Sequence, residues 1–355
     1  MTTLQIENAD VADERTLNDK LNDLEELLRP LGRVLVSYSG GVDSALLVVA
    51  AHRVLGDRAI ALTADSESYA KGELEAAAAI LEQFGIRHEV VRTRELDNPN
   101  YASNPVDRCY YCKSELFTHM DRMARELGAD AILYGQNADD VGDFRPGATA
   151  AREYGVLAPL AQVGMDKQDV RELARRWGIP VWNRPAGACL SSRFPYGTPV
   201  TAEGLRRVDR AEKVVCAAGF QQLRVRHHRE LARIELPVAD VVRVLGEAQL
   251  QRHLHSELIE LGYRRVTLDL RGFRSGSLNE PFGSDDSDRD PLQSLHEVLC
   301  SQHVSAELDE EEQVVCLLTD APELLADPVR RQSIIDTATA LAIPYFALDL
   351  SGLER

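Results

Sequence analysis

Six consecutive residues, Ser39-Gly40-Gly41-Val42-Asp43-Ser44, stand between an apolar run, Val34-Leu35-Val36, and a second one, Ala45 to Ala50. Strand, glycine turn and helix start is an arrangement that binds phosphates. The glycines let backbone N–H groups approach an anion, and a helix N-terminus adds about half a positive charge. The Ser39 and Ser44 hydroxyls are hydrogen-bond donors, and Asp43 is a carboxylate suited to magnesium. The run has neither the lysine of a Walker A loop nor the spacing of a dinucleotide fingerprint.

Other clusters could add chemistry to a polyphosphate site. Thr63-Ala64-Asp65-Ser66 closes the next apolar run. Asp139, Asp140 and Asp143 crowd the stretch after Asn137, followed by Arg145. Such carboxylates repel unless a cation intervenes; magnesium would serve, Arg145 could meet a phosphate or carboxylate, or the stretch is a solvated acidic turn. Cys109 and Cys112 form a CxxC, and Cys189 lies in a Pro- and Gly-rich loop, 183–199. Three thiolates can hold an iron–sulfur cluster with one iron left open. Alternatively Cys189 acts alone as a nucleophile, its thiolate favoured by Arg184 and Arg193. Cys216 and Cys316 sit in apolar runs and read as inert core; Cys300 carries no signal. On a strand, Arg224, Arg226 and His228 share one face and His227 and Arg229 the other; such like charges call for a neutralising anion, or the strand is a solvated basic one that pairs with acidic neighbours.

Apolar runs alternate with helical patterns: strands at 33–39, 59–65, 88–93 and 131–137, and helices near 44–55, 71–84 and 113–127. A leucine-rich amphipathic helix precedes them and a helix near 166–177 follows. This alternation predicts an α/β fold with a parallel sheet, whose ligands bind at the carboxyl ends of its strands. Beyond 200 the pattern becomes helix 201–218, strands 221–227 and 231–236, helix 238–248 and strand 264–270, a smaller α+β domain. An acidic linker at 280–291 precedes strand, helix, strand at 312–318, 329–342 and 344–349. Expected boundaries are therefore 1–182, 183–280 and an appended unit at 281–355.

The 355 residues carry a net charge of −17, with 16 Asp and Glu against 4 Lys and Arg beyond residue 280. That balance opposes general nucleic-acid binding. No apolar run is long enough to span a bilayer, and residues 1–15 have no signal-peptide pattern, so a cytoplasmic location without a membrane partner is expected.

The loop at 39–44 resembles the SGGxDS loop of the PP-loop ATP pyrophosphatases, which implies activation by adenylylation with release of pyrophosphate. With the 63–66 and 137–147 stretches, the loop Arg184 to Gly197, the run Leu223 to His228 and the stretch Leu268 to Ser277, residues 15–280 resemble the LarE family of ATP-dependent sulfur transferases. That resemblance implies conversion of a carboxylate of pyridinium-3,5-biscarboxylic acid mononucleotide into a thiocarboxylate. It implies that Ser37, Ser39, Gly40, Gly41, Val42, Asp43, Ser44, Thr63, Ala64 and Gly135 bind ATP, with Asp43 on Mg2+. Asp140, Arg145, Ser192 and Cys189 would carry the reaction, and Arg193, Glu212, Arg224 and Arg226 would hold the small phosphorylated pyridinium dicarboxylate. Some members sacrifice one cysteine; others hold a 4Fe-4S cluster on three, to which Cys109, Cys112 and Cys189 correspond. A sulfide donor and a homo-oligomer are further implications. A PP-loop tRNA thiolase, an amide-forming synthetase and a regulatory ATP-binding module are the competing readings.

Overall fold

The computed structural model describes residues 16–274 apart from 71, 141–145 and 186, together with 295, 299, 304–311, 314–341, 343 and 345–353. It divides into two compact units, one of residues 16–66, 72–94 and 109–187, the other of 67–70, 95–108 and the chain from 188.

The first unit begins with α1 (Leu17–Leu28), whose N-terminus is closed by reciprocal hydrogen bonds between Thr16 and Asp19. Strands β1 (Val34–Ser37), β2 (Ala59–Asp65) and β3 (Arg87–Arg92) alternate with helices α2 (Val42–Leu55) and α3 (Glu73–Gln83). The sheet runs β3-β2-β1-β4, where β4 is Ala131–Tyr134, and all its pairings are parallel. Every residue of β1 and most of α2 are buried, as expected for a central strand and the helix packed on it. The chain steps outward from β1 to β2 and β3, then returns to the other side of β1 for β4. That reversal opens a crevice beyond the carboxyl ends of β1 and β4.

Between β3 and β4 lie the short helix α4 (Pro99–Ala102) and α5 (Arg108–Leu127); after β4 come α6 (Pro146–Glu153), α7 (Pro159–Gln162) and α8 (Lys167–Arg176). Helix α5 starts five residues before the expected 113, so the CxxC occupies its first turn. Strand β4 stops three residues short of 137, because the chain turns at Gly135 toward the start of α2.

The second unit holds α9 (Ala202–Ala217), the hairpin β5 (Arg224–His228) and β6 (Leu231–Glu235), then α10 (Val238–Gly246), α11 (Ala248–Glu260) and β7 (Arg265–Leu268). Beyond residue 300 follow β8 (Ser305–Asp309), β9 (Val314–Leu318), α12 (Pro328–Ala340) and β10 (Phe346–Asp349). Helix α11 and strand β8 are additions to the elements expected from the sequence. The late strands join the same sheet as the hairpin, in the order β5-β6-β7-β10-β9-β8. Leu348 on β10 pairs antiparallel with Leu268 on β7, and Ile334, Phe346 and Leu348 share one core with Val215, Ile234 and Val266. The expected linker at 280–291 lies outside the described residues. Among the described residues no helix is long and apolar enough to cross a membrane.

Candidate active site

The loop after β1 folds back on itself through its two serines. The Ser39 N–H donates to Ser44 Oγ at 3.1 Å, the two hydroxyls are 3.2 Å apart, and Ser44 Oγ donates to the Gly41 carbonyl at 3.0 Å. Gly40 has φ +75°, and a Cβ there would lie 3.0 Å from Ala77 Cβ, so the turn requires glycine. Gly41 is the N-cap of α2 and supplies no side-chain cap. The first N–H groups of a fourteen-residue helix are thus left for a ligand. Ser37 and Thr63 are buried at the strand ends. Thr63 Oγ1 donates to the Tyr38 carbonyl at 2.9 Å and lies 2.9 Å from His88 Nε2; burial lowers the His88 pKa. Ala64 is buried beside it.

Asp43 has two partners that the sequence did not reveal. Asn137 Nδ2 donates to one of its oxygens at 2.9 Å, and the Lys167 ammonium donates to the other. The Lys167 backbone N–H in turn donates to Asp139 at 2.9 Å. Magnesium would therefore meet Asp43 with its oxygens already engaged by an amide and an ammonium. Asn137 Oδ1 is enclosed without a hydrogen-bond partner. Asp140 accepts from the Asn137 N–H at 3.3 Å, whereas Arg145 lies outside the described residues.

Gly135 makes this convergence possible. A Cβ there would stand 2.7 Å from the Ser44 backbone nitrogen and 2.9 Å from the Asp43 carbonyl carbon, both main-chain atoms that have no rotamer to escape into. Gly135→Ala should cost about 1–3 kcal/mol by overpacking. Urea melts would record that loss, and calorimetry should show weakened ATP binding, since the displaced atoms are the phosphate-loop backbone.

Cys109 is exposed and Cys112 half-buried, three residues apart on one face of α5. Gly147 packs α6 close by, where a Cβ would lie 3.6 Å from the Cys109 carbonyl oxygen. Among the described residues no group of three His, Cys, Asp or Glu side chains is gathered around a single metal position. Cys216, expected in the core, is exposed on α9; Cys316 is buried, and burial pushes its thiol up to about 12.

In the second unit, Cys189 opens a tight turn, Leu190–Arg193, and is half-buried. Its carbonyl accepts from Ser192 Oγ at 2.7 Å, the Ser192 N–H at 3.0 Å and Arg193 Nη1 at 3.2 Å. Arg193 is locked bidentately to Glu212, at 2.8 and 3.0 Å. Arg193 and Glu212 thus satisfy each other and hold the Cys189 turn. Arg184 pairs with Glu73. Each of the two arginines expected to favour the Cys189 thiolate thus has a carboxylate partner of its own.

Three residues missed by sequence reasoning brace the same loop. The Tyr101 hydroxyl lies 2.6 Å from Ser191 Oγ, and Arg108 donates to the Ser191 carbonyl at 2.9 Å. The buried Asn104 amide donates to the carbonyls of Pro195 and Thr198 at 2.7 and 2.9 Å. Asn104 has φ +58°, a conformation asparagine tolerates better than most residues, and that was the signal available.

The arginine strand is mostly neutralised from within. Arg226, 2 % exposed, bonds Glu235 at 2.8–2.9 Å and the Ser192 carbonyl at 2.8 Å. Arg233, fully buried, pairs with Glu235 at 3.3 Å and with Asp269, whose own pKa burial raises. Arg224 differs: it stacks 4.8 Å from the Phe273 ring centre and has no carboxylate partner among the described residues. Burial, with the charges of Arg226 and Arg193 nearby, lowers its pKa to about 10. An anion placed there would stabilise the charged form and raise the pKa again. Phosphate-ester affinity should therefore hold at neutral pH and decline as pH rises through about 10, and titration calorimetry should record proton uptake in that range.

The asparagine synthase family profile matches residues 25–144. An uncharacterized protein of Synechocystis sp. is 45% identical over 267 residues, covering 74% of this chain and 98% of that protein. Pyridinium-3,5-bisthiocarboxylic acid mononucleotide synthase of Lactiplantibacillus plantarum is 38% identical over 266 residues, 75% of this chain and 95% of that enzyme. The glutamine-hydrolyzing GMP synthase of Aeropyrum pernix is 27% identical over 226 residues, 56% of this chain and 42% of that enzyme. A glycine turn against an uncapped helix at the switch point of a parallel sheet, and near-complete coverage of the L. plantarum synthase at this identity, lead to one assignment: the chain belongs to the LarE family of PP-loop ATP-dependent sulfur transferases.

Proposed function

We propose that the protein uses ATP to convert a carboxylate of pyridinium-3,5-biscarboxylic acid mononucleotide into a thiocarboxylate; its L. plantarum relative is named for synthesis of the bisthiocarboxylic acid mononucleotide. The observation that carries this reading is the uncapped start of α2 behind a loop closed by its own serines. That helix start, Ser39 and Ser44 hold the departing pyrophosphate. A carboxylate oxygen attacks the α-phosphorus, the bond to pyrophosphate breaks, and an acyl adenylate results. A sulfur nucleophile then displaces AMP at the acyl carbon. Asp43 would hold magnesium, which when bound would offset phosphate charge, and Arg224 would hold the phosphate of the substrate.

Cys109, Cys112 and Cys189 would hold a 4Fe-4S cluster, which supplies transferable sulfide when bound. Thiolates are the donors such clusters require, and the CxxC presents two on one face of α5. A second reading has Cys189 give up its own sulfur; it is favoured by the position of Cys189 alone on the braced 188–200 loop, its thiol without a hydrogen-bond partner among the described residues. We place the enzyme in the cytoplasm as a homo-oligomer supplied by a sulfide donor.

The test is anaerobic purification, iron and sulfide analysis, and reaction with ATP and the acid. AMP, pyrophosphate and thiocarboxylate together support the reading, and their absence rejects it. Bound iron that disappears in Cys109→Ala identifies the cluster. Iron-free protein that becomes lighter by one hydrogen sulfide identifies sacrificial Cys189.

A further inference from the structure

Strands β8 to β10 and helix α12 carry no site residue, yet the chain that enters β10 touches the supports of the Cys189 turn. Tyr345, 6 % exposed just before β10, packs in a small apolar cluster with Leu231, Val314 and Cys316. The next side chain, Phe346, belongs to the main core of the second unit. Neighbours along an extended chain take opposite faces, and each of these two rings receives an arginine from elsewhere in the unit. Arg271 lies 4.4 Å from the Phe346 ring centre and donates to the Ile343 carbonyl at 2.9 Å. Arg233 lies 4.9 Å from the Tyr345 ring centre.

Arg233 is a cation with little else to face. It is fully buried, its Nη1 serves both Glu235 and Asp269, and its Nε–H reaches His228 only at 3.4 Å. Nη2 is enclosed without a hydrogen-bond partner. A desolvated guanidinium short of acceptors gains most from an aromatic face, because the ring quadrupole attracts the cation without a hydrogen bond. The same ring meets His228 edge to face, with centroids 5.2 Å apart. Tyr345 therefore packs against both Arg233 and the imidazole beside it.

From Arg233 the contacts run unbroken to the turn. Arg233 and Arg226 share Glu235, at 3.3 and 2.8 Å, and Arg226 donates to the Ser192 carbonyl at 2.8 Å. Ser192 donates through its N–H and its Oγ to the Cys189 carbonyl, at 3.0 and 2.7 Å. All of these residues lie in the second unit. A shift of Arg233 is thus passed to the turn through packed and paired groups.

We infer that Tyr345 is a positioning residue for the Cys189 turn, acting through Arg233, Glu235 and Arg226, and that the late strands thereby take part in sulfur transfer. The last clause rests on the proposed function; the positioning does not.

Hydrogen exchange of the full chain, read by mass spectrometry, tests the positioning. Tyr345→Leu, at a temperature where its melting curve shows it folded, should speed exchange of the 190–194 amides by about tenfold or more, with α11 of the same unit unchanged. Tyr345→Phe keeps the ring and should exchange as the wild type does. Phe346→Leu, an equal loss of ring on the other face, should lower stability and leave the turn alone. If Tyr345→Leu does not fold, Tyr345→Met, which fills the space without a ring, is read in its place. Unchanged exchange in the turn, faster exchange spread evenly over α11 and the turn, or the same effect from Phe346→Leu overturns the positioning. Thiocarboxylate formation is measured alongside, with ATP and the mononucleotide. Tyr345→Leu should lose about fivefold or more in kcat with the KM for ATP unchanged. If the turn loosens but the wild type forms no thiocarboxylate, the proposed function fails and the positioning stands. If the wild type turns over and the loosened variant matches it, the part in sulfur transfer fails and the function stands.

Discussion

Replacing Lys167 by methionine should lower ATP-dependent pyrophosphate release by about 10²–10³-fold, the usual effect of removing a charged donor from a site where negative charge develops. The ammonium rests on Asp43, which lies in the first turn of α2 beside the phosphate loop. On MgATP binding, metal and ammonium would compete for this carboxylate, and the polyphosphate would offer the ammonium another anion. Removing it should also free Asp43 for magnesium, so half-maximal activation should shift to lower magnesium concentration even as kcat falls. A merely structural lysine would lower stability and leave the magnesium dependence alone. Steady-state kinetics across a magnesium series separates the two outcomes.

Glu235→Ala should destabilise the second unit by about 3–5 kcal/mol, the range for breaking one side of a buried ion pair. Glu235 lies between Arg226 and Arg233, all three with almost no exposure. Without it, Asp269 remains to balance two enclosed guanidinium groups. Arg226 would also lose the partner that aims it at the Ser192 carbonyl, and Ser192 Oγ is one of three donors to the Cys189 carbonyl. Thermal unfolding should show the stability loss. At a temperature where the variant is folded, sulfur transfer should fall while pyrophosphate release persists, because the phosphate loop belongs to the other unit.

Much of the site was legible because it depends on local geometry. A glycine pair between a buried strand and an apolar helix dictates its own backbone, and SGGVDS was readable for that reason. The four parallel strands were equally plain, since each is a short apolar run beside a helical period. What escaped depends on partners distant in sequence. Lys167 lies 124 residues from Asp43, and nothing in a helix-start lysine announces that distance. Arg226 reads as a phosphate ligand when its charge is visible and Glu235, across the hairpin, is not yet opposite it. Arg193 and Glu212 likewise look like substrate ligands, although each is the other's counter-ion. Lone charges in sequence are often half of a pair that only the fold completes, and Arg224 stands out because no carboxylate pairs with it among the described residues.

The union of β7 with β10 bears on any attempt to shorten the chain. The L. plantarum enzyme matches about three quarters of this sequence, which invites expression of a trimmed version ending near residue 280. Such a chain would expose the N–H and C=O groups of β7 along a row of strand-forming residues, Arg265-Val266-Thr267-Leu268, with Val266 and Leu268 stripped of their cover. Bare strand margins template the addition of further chains. The trimmed protein should therefore precipitate or polymerise on concentration, with the sulfur-transfer residues themselves untouched.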